Sequence, residues 1–550
     1  MKFNLVSNLL IIILLSSCGF SDRGDSQLSI FRYNEPNGIS SLDPAFSRNV
    51  ENISAVNHLF NGLVQMSDEL EIQPAIAKSW IISADRLTYT FNLRSDVKFH
   101  PHRIFSTDSD RYVNANDFVY SFSRLVDDDL AAPGAWVFNF VDRDSLGELA
   151  VSSLNDSTFQ IKLQKPFPPF LGILTMQYCS VVPQEIVEYY GEDFRSNPIG
   201  TGPFRFKYWS ESNKLVLLKN TEYFERDLNG KKLPHLDAIN ITFNKDEEVA
   251  FLQFLKGDLD YLSGLNGSYK DEILNSNGQL KEKYADRIEM ITTPYLNTEY
   301  LGFNLANADI VNGTSPLSDV RVRKAINFGF DREKMLLYLR NGIGTPALQG
   351  FIPKGLPGFD NEMVGFSYQP DSARNLIKEA GYDIRNPLPT IVLNTTAQYL
   401  DLCEFIQHEL KQVGVTLEIE VNPSGTHNEL VANGELAFFR KSWIADYPDS
   451  ENYLALFYSK NEAPEGPNYT HFRSDQFDAL YNESLITNSD SIRLTNYRLM
   501  DLLIKNQSVV VPLFYDQVVR FIPQDVDNLG INPLNLLTLK FAQKPRPTND

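Results

Sequence analysis

Apolar and polar positions change rhythm several times along this chain, and each change predicts an element. Leu87, Tyr89, Phe91 and Leu93 alternate with Thr88, Thr90 and Asn92, the pattern of a half-buried strand within 87–99. A first strand is expected at 27–33, a long hairpin at 204–219, and an amphipathic helix at 247–256 stopped by Gly257. From residue 390 the pattern becomes a strand (390–395), a helix (399–413) ended by Gly414, and a second strand (415–421). A short helix ended by Gly434 then leads to a third strand, 436–441. Such a β-α-β-α-β run implies right-handed crossovers and a parallel sheet, whose ligands bind beyond the carboxyl ends of its strands. There the third strand is expected to break into the loop SWIADYPDS. This places Trp443, Asp446 and Tyr447 close together, just after Arg440. A cation, an indole and a carboxylate at such a strand end suit a small-ligand site. An ordinary strand exit with a surface Arg–Asp pair is the competing reading.

With 550 residues the chain exceeds one ordinary core, so two or three domains are expected. Its 43% hydrophobic and 22% charged residues are those of a soluble globular protein. A net charge of −20 argues against nucleic acid as a partner. Three cysteines are too few for a disulfide scaffold. Cys179 and Cys403 stand in apolar contexts that suit small core residues, with a bridge between them left open.

Residues 1–17 read as an export signal: Lys2 supplies the positive start, and 5–15 is an apolar run too short to span a bilayer. The run ends in Leu15-Ser16-Ser17-Cys18-Gly19, similar to a bacterial lipobox, so Cys18 is the expected lipid attachment site. The polar stretch to residue 27 would be a tether.

Several stretches imitate other chemistry. His100 and His102 lack partners at metal-site spacing, and Asp108-x-Asp110 fails the calcium-loop pattern at Tyr112, so no metal is expected. NPIGTGPF at 197–204 lacks the third glycine of a phosphate loop and leads into a strand, so its glycines read as a tight turn before the hairpin. The 100–118 segment reads as a polar loop. No Ser-His-Asp or HExxH pattern occurs. The nearby Asp446 and Asp449 flank Pro448 without any sign of the facing geometry a glycosidase needs. An enzyme is not expected, and no cofactor is called for.

Along nearly its whole length the chain resembles the family 5 extracellular solute-binding proteins of ABC importers, above all the oligopeptide- and dipeptide-binding members. The resemblance is carried by SLDPAFS (41–47), HLFNGLVQ (58–65), IQPAIAKSW (72–80), DRLTYTFNLRSDVKFH (85–100), ANDFVYSFSRL (115–125) and NPIGTGPF. It continues through LSDVRVRKAINFGFDREKM (317–335), DSARNLIKEAGY (371–382) and SWIADYPDSENYL (442–454).

The resemblance implies an α/β fold of two hinged lobes, the type II periplasmic-binding-protein fold in its large cluster C form, with an extra subdomain in lobe I. Lobe I would comprise 28–60, 184–296 and 518–550, the extra subdomain 61–183, and lobe II 297–517. The implied function is a lipid-anchored receptor on the extracytoplasmic face of the cell membrane, expected to be a monomer. It would capture peptides between the lobes and deliver them to an ABC permease and its ATPase subunits. By the family's W-x-x-D motif, Asp446 would take the peptide's ammonium beside Trp443. Arg440, and less directly Arg340, would meet its carboxylate or backbone. The backbone from Ser442 to Ile444 would pair with an extended peptide as an added strand. The longer 100–116 loop departs from the family pattern, and near the expected side-chain wall only Trp136, Ser424 and His427 stand out. A receptor of the same fold for a metal chelate, a glycan or an opine, or a sensory receptor, remains the alternative reading.

Overall fold

The computed structural model describes residues 28–265, 267, 269–306 and 315–546. The proposed signal, Cys18 and the tether lie outside the described residues. Among those residues no helix is long and apolar enough to cross a membrane.

Three main sheets organise the chain. One is a mixed sheet in the order Ile30–Asn34, Ala238–Thr242, Lys214–Lys219, Phe204–Ser210, the last two forming the expected hairpin. A second, antiparallel, runs Ala77–Ile82, Thr88–Leu93, Thr158–Lys162, Val151–Asn155. Its Thr88–Leu93 strand buries Tyr89, Phe91 and Leu93, the face the alternation predicted. The expected helix Glu247–Lys256 is present, capped by Asp246 and ended by Gly257 at φ 85°. The 100–118 segment is largely loop, but its last residues open the helix Ala115–Leu125, because Asn114 and Asp117 form a capping box.

The third sheet has seven strands. Two long strands, Ile288–Phe303 and Val510–Pro523, cross it side by side, antiparallel. Their pairing runs regularly from Ile288↔Pro523 to Pro294↔Gln517, breaks, and resumes at Thr298↔Tyr515. Phe438–Ile444 lies antiparallel on Ile288–Phe303. Ile391–Thr396 and Leu417–Asn422 continue the sheet in parallel. The β-α-β-α-β run is thus present, with Gly414 and Gly434 at φ 89° and 70° ending its helices. Its third strand departs from the expectation. It starts at Phe438 and runs on through Ile444, because Ser442, Trp443 and Ile444 pair with Glu299, Thr298 and Asn297. The loop therefore begins at Ala445.

Cys179 and Cys403 are both buried and free, each in a different apolar cluster, which closes the question of a bridge. The 197–204 glycines do not serve a turn of positive φ. A Cβ built at Gly200 would lie 2.1 Å from the Leu59 carbonyl oxygen, and one at Gly202 2.4 Å from the Leu59 carbonyl carbon. Close backbone approach is what demands glycine there. His100 locks the same segment: its Nδ1 accepts from the Gly200 amide and its Nε2 donates to the Gly202 carbonyl at 3.0 Å. Burial lowers its pKa to about 4, so the ring is neutral. Gly202→Ala should therefore lower stability by about 1–3 kcal/mol, read as an earlier denaturation midpoint. An unchanged midpoint would refute the packing account.

Candidate functional site

The Trp443–Asp446 turn is built around one amide. Asn452, buried on the short helix Glu451–Leu454, accepts from the Trp443 indole Nε1 at 3.0 Å and from the Asp446 backbone N–H at 3.1 Å through its Oδ1. Its Nδ2 donates to Asp446 Oδ2 at 3.2 Å. Tyr453 adds a hydroxyl that donates to the carbonyls of Leu296 and Trp443, tying the turn to the long strand Ile288–Phe303. Asp446 is reached by solvent, yet protein lies around it on the other sides. That surrounding mass raises its pKa above the ordinary carboxylate value, and only the Asn452 amide works the other way. Among the described residues no cation forms an ion pair with it.

The cations expected beside it are occupied. Arg440 is buried, forms an ion pair with Glu299, and lies over the Tyr399 ring. Glu299 also accepts from Asn297 Nδ2 at 3.1 Å. Arg340 donates to Asp516 at 2.6 Å and stands over the Phe514 ring. The pKa of Tyr295 is pushed up by burial first and then by the charges of Asp516 and Glu299. No contact joins either arginine to the Asp446 carboxylate among the described residues. Asp449, the other acid of the loop, is held by Arg493 at 2.9 Å and by the Tyr497 hydroxyl at 2.8 Å.

Ser442 is half-buried and Ile444 exposed on the last turns of their strand. The Ala445 amide donates to Leu296, so by alternation the amides of Ser442 and Ile444 face away from the strand Ile288–Phe303. His427 uses that outward edge, donating from Nε2 to the Arg440 carbonyl at 2.8 Å. Trp136 is partly exposed, and Ser424 opens the short helix that carries His427.

Sequence reasoning missed Asn452, Glu299 and Lys441. Lys441 donates to Asn428 at 2.6 Å above the Tyr469 ring, and burial lowers its pKa to about 8. It also missed Glu451, which is buried between the hydroxyls of Tyr447 and Tyr481. Burial raises Glu451 to about 7, against those two hydrogen bonds. A folded-state pKa above the unfolded value contributes stability below about pH 4.5 that is lost as pH rises through about 7. Glu451→Gln should flatten that decline, whose slope is at most about 1.4 kcal/mol per pH unit. Denaturation midpoints at pH 5 to 8 that fall equally in both proteins would disprove it.

The model of the bacterial extracellular solute-binding proteins, family 5, matches residues 71–465, most of the chain. The chain belongs to this family. The dipeptide-binding protein of Escherichia coli is 25% identical over 490 residues, covering 86% of this chain and 87% of that one. Heme-binding protein A of Haemophilus influenzae is 26% identical over 503 residues, covering 88% and 85%. Among solved structures, the periplasmic binding protein DppA from Helicobacter pylori in complex with peptide STSA matches with a TM-score of 0.75 at 24% identity. That match covers 94% of this chain and 99% of the other. This family 5 protein therefore has the two-lobed α/β fold expected of it, and its relatives are binding proteins. The loop that carries Asp446 packs against a distant part of the chain: a Cβ built at Gly172 would lie 3.5 Å from Tyr447 Cβ.

Proposed function

We propose that this protein is the peptide receptor of an ABC importer, a binding protein and not an enzyme. It captures a peptide between its lobes and presents it to the permease. The observation that carries the reading is Asp446, a carboxylate fixed by Asn452, reached by solvent and unpaired by any cation among the described residues. A peptide's α-ammonium is the group such a carboxylate suits, and the contact gains strength where closing lobes exclude water. The outward amides at Ser442 and Ile444 offer a strand edge to an extended backbone, which binds without regard to side chains.

The reading includes the lobe limits that the family resemblance implies: 28–60, 184–296 and 518–550 as one lobe, 61–183 as its extra subdomain, and 297–517 as the other. The register break between the two long paired strands, near Pro294 and Thr298, supports it. A lipid on Cys18 would hold the monomer at the extracytoplasmic membrane face. A heme-binding relative keeps a receptor for another solute as the second reading. A lone carboxylate with its neighbouring cations already paired favours an ammonium over a dianionic porphyrin.

Native mass spectrometry of the purified protein tests the function. Bound species whose fragments are amino-acid residues, displaced by added short peptides, are the expected result. Retention of a non-peptide solute, with no displacement by peptides, would overturn it.

A further inference from the structure

One surface turn runs against the chain's overall charge. Residues 226–232, RDLNGKK, carry three exposed cations, Arg226, Lys231 and Lys232, on a chain of net charge −20. Arg226 and Lys232 face each other in an isolated antiparallel bridge. Like charges set directly opposite destabilise such a pair. Among the described residues none of the three cations forms an ion pair. Arg226 donates to the Gly230 carbonyl at 2.9 Å and Lys232 to the Thr221 carbonyl at 3.1 Å. Asp227, the acid within the turn, is tucked under it. Its Oδ1 accepts from the amides of Asn229 and Lys231, each at 2.9 Å, and its Oδ2 lies 3.2 Å from His235 Nε2. The acids at the base are taken as well, Glu225 by Lys540 and Asp237 by Arg546. The clamp that Asp227 makes holds Leu228 at the tip, fully exposed. A lone exposed leucine is ordinary. A leucine fixed at the summit of a cationic turn offers apolar area and positive charge to one and the same surface.

The turn also lies where the described chain begins. Five positions beyond Lys232, Asp237 accepts at Oδ2 from the Ser29 amide at 3.0 Å, and its own amide donates to the Ser29 carbonyl at 2.8 Å. Five residues span at most about 18 Å. Cys18 stands eleven positions before Ser29, hence at most about 40 Å from it. A lipid on Cys18 would keep the turn within reach of a bilayer.

We propose that this turn is a membrane-docking tip: Leu228 enters the interface of a lipid bilayer while Arg226, Lys231 and Lys232 meet its anionic headgroups. The inference uses the Cys18 anchor for nearness to a membrane and does not depend on the peptide reading. Burial of apolar area and attraction to anionic lipid are the two contributions that hold such contacts. Three cations and one leucine make a weak, reversible contact alone. Beside a lipid anchor the contact becomes intramolecular, so a weak one suffices to set which side of the receptor faces the membrane.

The test is co-sedimentation of the chain from residue 18 with excess vesicles at low salt. Cys18→Ser keeps it free of lipid, so that the anchor plays no part. Vesicles of phosphatidylglycerol are compared with vesicles of phosphatidylcholine, and melting temperatures confirm that each variant is folded. The chain should partition onto phosphatidylglycerol and not onto phosphatidylcholine, and less as salt rises. Lys231→Gln with Lys232→Gln should lower that partition roughly 10- to 30-fold. Leu228→Ser should lower it roughly 5- to 10-fold. Lys378→Gln with Lys411→Gln, the same charge lost elsewhere, should change it by less than about twofold. No partition onto phosphatidylglycerol, equal partition onto both lipids, or equal losses for the two lysine pairs would each overturn the tip. Lipidation is read separately, from the mass of the membrane-extracted protein. An unlipidated Cys18 would remove the anchor and leave the vesicle result standing.

Discussion

Asp446→Ala should weaken binding of a peptide with a free amino terminus by roughly 30- to 5000-fold. That range corresponds to the about 2–5 kcal/mol that truncating one partner of a buried, hydrogen-bonded charge pair costs. Much of the loss arises because the ligand's ammonium would be buried without its partner. Asp446→Asn should recover little, since an amide keeps the shape and loses the charge. An N-acetylated peptide should bind wild type poorly and lose far less on going to the mutant. The four combinations measured by calorimetry separate a ligand contact from a structural one, because a distorted loop would weaken both peptides alike. Equal losses would remove Asp446 from the site. The raised pKa of Asp446 adds a sign: the hold on the ammonium should weaken as pH falls through that value, sooner than for an ordinary aspartate.

The second large effect is expected at Glu299. It and Arg440 are both buried, with side chains 4% and 10% exposed, so neither is screened by water. Glu299→Gln leaves a guanidinium in the protein without its counter-charge, a change that costs about 3–5 kcal/mol when a buried pair is broken. The denaturation midpoint should fall accordingly. The double replacement Glu299→Leu with Arg440→Met should cost less than Glu299→Gln alone, because it removes both charges together. A single mutant as stable as wild type would mean that solvent reaches the pair after all. The same variant bears on ligand recognition. With Glu299 uncharged, Arg440 is free to meet a carboxylate, so affinity for acidic peptides should rise while stability falls.

Local signals in the sequence picked out the Trp443–Asp446 turn but not its wiring. The 390–441 run was legible because period-two and period-3.6 patterns alternate there, and because Gly414 and Gly434 mark the left-handed turns that end its helices. Where the third strand ends was not legible. Ser442, Trp443 and Ile444 carry no apolar alternation; they are held in the sheet by pairing with Asn297 to Glu299, far away in the chain. Distance hid the fate of Arg440 for the same reason, since its acid lies 141 positions upstream. Asn452 stands inside the quoted SWIADYPDSENYL stretch, yet an asparagine near a turn is common, and only the geometry shows one amide holding both Trp443 and Asp446. The glycines of NPIGTGPF gave a true signal with the wrong cause. Their role depends on Leu59, which no local pattern connects to them.

The start of the described chain bears on how the molecule is held. Ser29 donates from its hydroxyl to the Lys544 carbonyl at 2.8 Å and from its amide to Asp237, and Ile30–Asn34 is an edge strand of the first sheet. In the proposed division, both ends of the described chain are thus fastened to the same lobe, and the break in the crossing strands lies elsewhere. A pull on the residues before 28 would load that lobe as a door frame is loaded, through the wall and past the hinge. Tension from a membrane anchor would leave the angle between the lobes to the ligand alone.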